Sequence, residues 1–112
     1  MSPSRFPILQ GTFDMLILQI LSLEPAHGYG IAQRLELISQ CVVQVNQGSL
    51  YSALHRLEQK QWLKAEWKPS ETGREAKFYS LTSAGRKQLQ VERSSWARLS
   101  GGVQLIFDEG SK

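Results

Sequence analysis

A single cysteine, Cys41, stands in the 112 residues, so no disulfide can form within the chain. Its setting in Cys41-Val42-Val43 reads as a small buried thiol. Long apolar runs are also lacking: the best candidate, Met15 to Leu23, is broken by Gln19 and Ser22 and falls short of the roughly 20 residues that a membrane helix needs. No membrane span is expected. The start, Met1-Ser-Pro-Ser-Arg-Phe, lacks the apolar block and small-residue cleavage site of a secretory signal, and the chain is expected in the cytoplasm. His27, Cys41 and His55 follow at intervals of fourteen and fourteen, which matches no compact zinc pattern. No Ser/His/Asp or Cys/His grouping, phosphate-cradling glycine loop or paired carboxylate can be read either. Neither a metal, a cofactor nor an enzyme is expected.

What is present suits one globular domain over 1–112, with 41% hydrophobic and 21% charged residues. The net charge of +3 is small, but its distribution is uneven. Residues 1–48 hold two basic and three acidic groups, residues 49–87 eight and four, and residues 88–112 three of each. The middle third therefore carries the excess, as a nucleic-acid-facing element would, although a solvated basic surface gives the same count.

Thr12 can cap a helix from Phe13 to about Leu23, whose apolar residues wrap more than one face. Leu16, Ile17, Ile20 and Leu21 are expected to face the chain's own core, and Met15 and Leu18 a partner subunit. A second helix over 28–39 presents Ile31, Leu35 and Ile38 on one side. A third begins after Asn46-Gln47-Gly48 and ends near Gln61, with Leu50, Ala53, Leu54 and Leu57 as its buried stripe. Its other face carries Ser49, Ser52, His55, Arg56, Gln59 and Lys60, with Tyr51 at the edge. Residues 62–68 and 76–81 read as a hairpin with a long tip. Thr82 caps a last helix over 83–108, in which Leu89, Trp96, Leu99, Val103 and Ile106 follow at steps of seven, three, four and three, the a/d spacing of a helix that packs on another. Gly101 and Gly102 each cost about 1 kcal/mol relative to Ala, so a kink or fraying is expected there.

Three helices, a hairpin and a closing helix give a mainly α fold laid out as a winged helix-turn-helix: a core over 8–82 and a C-terminal dimerisation helix. In that layout the third helix enters the DNA major groove and the hairpin reaches the flanking backbone. Ser49, Ser52, His55 and Arg56 suit the inserted face, the tip residues Arg74 and Lys77 with Lys68 at its base suit phosphates, and Lys60 also favours DNA. A winged helix used only for protein interaction would keep the core pattern without requiring these donors.

Five stretches carry a family resemblance: Leu9-Gln-Gly11-Thr12, His27-Gly28-Tyr29-Gly30-Ile31, Gly48-Ser49-Leu50-Tyr51, Leu54-His-Arg-Leu-Glu58 and Lys77-Phe-Tyr79-Ser-Leu81-Thr82-Ser-Ala-Gly85. Together they resemble the PadR family of bacterial transcriptional regulators, in particular its short, single-domain members. The resemblance implies a winged-helix homodimer, mostly a repressor, joined through the last helix and bound to an inverted-repeat operator in double-stranded DNA. It also implies phosphate contacts from the hydroxyls of Tyr29 and Tyr51. Some short members bind planar aromatic or cationic compounds on a tryptophan of the last helix, and Trp96 matches that position, with Asp14 and Met15 nearby. Two departures stand out: Ser52 replaces the usual proline, and Gln61 the glycine that usually ends the third helix.

Overall fold

A computed structural model describes residues 10–110; the expected start of the core at residue 8, and Leu9 of the first motif, lie outside it. The elements run α1 (Gln10–Leu23), β1 (Ala26–His27), α2 (Gly28–Ile38), α3 (Gln47–Gln59), β2 (Leu63–Pro69), β3 (Glu75–Leu81) and α4 (Ser83–Gly110). Helix α1 starts ahead of Thr12, which therefore lies within the helix and does not cap it. It is the central element and packs against α2, α3, α4 and β3. That enclosure buries Phe13, Met15, Ile17, Leu18, Ile20 and Leu21. Leu18, expected to face a partner, has no exposed surface, because the chain's own elements cover both sides of α1.

Helix α3 buries Leu50, Ala53, Leu54 and Leu57, as their spacing predicts. Asn46 starts it, its Oδ1 accepting the Ser49 amide N–H at 2.9 Å. The helix ends in paired bonds from the Gln61 N–H to the Glu58 carbonyl and from the Trp62 N–H to the Leu57 carbonyl. That closure needs a left-handed residue, and Gln61 supplies it at φ 64°. Helix α2 keeps only part of its expected stripe: Ile31 and Leu35 are buried, whereas Ile38 is exposed because the last turn runs past the core. Gln40 and Cys41 then take φ of 54° and 66°. This left-handed turn carries Cys41 to the surface, not into the core as its neighbours suggest.

The sheet is three-stranded and antiparallel in the order β1-β3-β2. Ala26 and His27 pair with Tyr79 and Phe78, adding to the expected hairpin a strand too short for any alternation to reveal. In the hairpin, Leu63 lies opposite Leu81 and Trp67 opposite Lys77. Gly73 turns the tip at φ 85°, a conformation that favours glycine.

Thr82 joins the wing to α4. Its Oγ1 accepts the Gly85 N–H at 3.0 Å and donates to the Gln61 carbonyl at 2.7 Å. Gly85 lies so close to the Trp62 carbonyl that an added Cβ would sit 2.1 Å from its oxygen. Helix α4 then runs unbroken through Gly101 and Gly102 to Gly110, so the expected fraying is absent. Leu89 is buried in the chain's own core, and the seam left for a partner begins beyond it.

Candidate nucleic-acid interface

The solvent side of α3 is polar, with Ser49, Ser52, His55 and Lys60 exposed and Tyr51 51% accessible. Arg56, expected on that side, turns back toward α1, where its Nη2 donates to Asp14 Oδ1 at 2.6 Å. Its Nε is buried with no hydrogen-bond partner among the described residues. Burial pushes the Asp14 carboxyl above the ordinary aspartate range, and the guanidinium opposes that shift without cancelling it. Lys77 is likewise engaged within the chain. Its Nζ donates to Glu58 Oε1 at 3.0 Å, which raises the lysine's pKa. Lys60 lies over the Trp62 ring at 4.8 Å and keeps its exposed position.

Between the helices and the wing lies a cavity of about 740 Å3, walled by His27, Tyr29, Tyr51, Trp67, Arg74 and Lys77 among others. Its floor depends on Gly28. A Cβ there would sit 3.0 Å from the Tyr51 ring, so the missing side chain is what lets Tyr51 lie against α2. His27 caps α2 by accepting the Gly30 N–H on Nδ1 at 3.0 Å, which leaves Nε2 as the protonated nitrogen of the neutral ring. That nitrogen is 3.5 Å from Glu71 at the wing tip. The site thus brings together Tyr29, Tyr51, Arg74 and Lys77, with Ser49, Ser52, His55 and Lys60 on the helix that carries Tyr51.

A second hollow, of about 280 Å3, lies between α1 and α4 and is lined by Gly11, Thr12, Met15, Glu92, Ser95, Trp96 and Leu99. Asp14, expected near Trp96, is not part of its lining; its carboxylate is held by Arg56, although the charge of Glu92 still reaches it. The acid in the hollow is Glu92. Trp96 is 48% exposed, and Leu99, Ile106 and Phe107 are more open still.

Residues 17–91 match the family of PadR-like transcriptional regulators. The chain belongs to that family. It is a winged-helix transcriptional regulator and not an enzyme. A PadR-like transcription factor from Bacteroides fragilis superposes with a TM-score of 0.72 at 33% identity, covering 87% of this chain and 91% of that one. A PadR-like regulator from Bacillus cereus superposes at 0.77 with 29% identity, covering 88% and 94%. A protein of a Streptomyces fradiae transposon is 45% identical over 90 residues, or 80% of this chain, which spans 24% of that longer protein. No helix among the described residues is long and apolar enough to cross a membrane.

Three features of this PadR-like site carry no readable mark in the sequence. The Arg56–Asp14 pair joins residues 42 positions apart, beyond any local pattern. Glu92 lies on the side of α4 that turns toward α1, which only packing reveals. Trp67 is 65% exposed beside Tyr51 of α3, whereas an aromatic in a strand ordinarily reads as core.

Proposed function

We propose that the chain is a cytoplasmic repressor that binds an inverted-repeat operator in double-stranded DNA as a homodimer and is released by a planar small molecule. One observation carries the DNA reading: the Tyr29 ring, the Tyr51 ring that α3 contributes and the wing tip with Arg74 all border one open cavity. A helix presented beside a wing can enter the major groove while the wing follows the backbone. Ser49, Ser52 and His55 supply the base-facing side, and Tyr29, Tyr51, Lys60 and Arg74 the phosphate contacts. Arg56 and Lys77 act at one remove, holding α3 to α1 and to the wing.

The domain is read as a single unit over 1–112, with a winged-helix core over 8–82 and a closing helix from 83. Trp96, Leu99, Val103 and Ile106 line up along one side of α4 and remain accessible at 48%, 62%, 38% and 72%. A second copy would cover them. Two-fold symmetry would then set the two copies of α3 about 34 Å apart, at successive major grooves. The effector reading rests on the hollow that Trp96 shares with Met15 and Glu92. Doubled across the two-fold axis, it offers two indoles for stacking and two carboxylates for a positive charge.

Footprinting the purified protein on the DNA upstream of its own gene and its neighbours tests this reading. Two protected half-sites, with affinity falling steeply as salt rises, are expected. Protection of one unrepeated site would remove the dimer, and no protection at any salt concentration would remove DNA binding.

A further inference from the structure

The wing of this protein is poorly charged on the side that faces α3. Its residues lining the cavity include two acids, Glu71 and Glu75, against Arg74 and Lys77, and Lys77 is already committed to Glu58. Lys68 is on the opposite face of the sheet, over the Phe78 ring at 4.7 Å. Arg74 is left as the one wing cation on this side with neither an ion pair nor a ring among the described residues. Phosphate attraction alone therefore gives this wing little hold on a duplex.

On the same side stands Trp67, 65% exposed. Its orientation is fixed by register: its partner across the hairpin is Lys77, which reaches Glu58 on α3 at 3.0 Å, and paired residues share a face of the sheet. The indole lines the cavity together with Tyr29 and Tyr51. The other exposed apolar side chains include those along α4 and at the end of α2, neither of which borders this cavity. A large ring held open to water beside the recognition helix is a contact surface in waiting, with an N–H donor at its edge.

We propose that Trp67 is a specificity-determining residue of the wing, its indole packing against the deoxyribose and base edges that flank the half-site held by α3. The proposal rests on the DNA-binding reading above and deepens it. The apolar contact supplies what the balanced charge of the wing does not, and because the fit of an indole depends on groove shape, it makes affinity respond to base pairs that α3 never touches.

The test uses the full chain and the footprinted operator, with wild type, Trp67→Ala, Trp67→Phe and Arg74→Ala titrated at several salt concentrations. Trp67→Ala is expected to bind about tenfold more weakly with the salt slope of wild type. Arg74→Ala should lower that slope by about one. Wild type should lose affinity several-fold when the base pairs flanking the half-sites are changed, and Trp67→Ala should be indifferent to them. Trp67→Phe should keep most of the affinity. On adding operator, tryptophan emission should change more in wild type than in Trp67→Phe. Because Trp67 is exposed, the circular dichroism of both Trp67 variants should match wild type. If Trp67→Ala binds the operator and its flank-altered versions as wild type does, this inference fails and DNA binding stands. If wild type binds no duplex, both fail together.

Discussion

Helices α1 and α4 both carry more apolar residues than one buried stripe requires, yet the surplus meets opposite fates. In α1 it is consumed inside the chain, because α2, α3, α4 and β3 all lie against that helix. Phe13, Met15, Ile17, Leu18, Ile20 and Leu21 are buried without any partner. Helix α4 packs on α1 and β3, burying Gly85 and Leu89, and then leaves Trp96, Leu99, Leu105, Ile106 and Phe107 open. An apolar surplus in a sequence is therefore ambiguous between a central helix and a docking helix. What decides is how many neighbours the topology supplies.

The sharpest way to separate the two helices is to replace apolar side chains in each and ask whether folding or association suffers. Leu18→Ala removes a side chain with no exposed surface and should lower stability by about 4 kcal/mol, read from chemical denaturation. Joint Leu99→Lys and Ile106→Lys changes lie on the open side of α4 and should leave the chain folded. They should weaken self-association by about 3 kcal/mol, more than a hundredfold, giving a monomer by sedimentation where wild type at micromolar concentration is expected to be a dimer. A wild-type monomer would return α4 to the status of an unpartnered helix.

The contrast also marks what could be read without coordinates. The stripe Leu50, Ala53, Leu54, Leu57 and the hairpin of β2 and β3 were legible because helical and strand periodicities are local properties. The two residues of β1 and the burial of Leu18 were not, since each depends on what distant elements lie nearby, and the outward turn at Cys41 was not because no glycine marks its left-handed residues Gln40 and Cys41. In the candidate site, Tyr29 and Tyr51 stand within the motifs, and both border the cavity. The inward swing of Arg56 could not be read, because the acid that draws it sits on α1. Gln61 falls between these cases: its departure from the usual glycine is plain in the sequence, and the structure gives it a cost. A non-glycine residue in the left-handed region costs about 1–2 kcal/mol, partly offset by the greater entropy that glycine loses on folding. Gln61→Gly should therefore stabilise the chain by about 0.5–1 kcal/mol in thermal unfolding. It should do so without altering association, since the residue lies at the end of α3 and not on the open side of α4.

Asp14 gives the finest measure of how thoroughly α1 is enclosed. It is the one buried charged residue among those described, and burial raises its pKa despite the hydrogen bond from Arg56. A carboxyl whose folded pKa lies above its unfolded value near 3.8 binds protons more readily in the native state. Its contribution to stability is then fully present below that value and is lost as pH rises through the folded pKa. Asp14→Asn removes the titration while keeping the shape of the side chain. The stability of wild type relative to Asp14→Asn should therefore decline as pH is raised from 3 toward 7, the smallest of these effects, read as the difference between two thermal midpoint curves. A difference that instead grows in favour of wild type would mean that the Arg56 bond outweighs desolvation, and that this side of α1 is wetter than its burial implies.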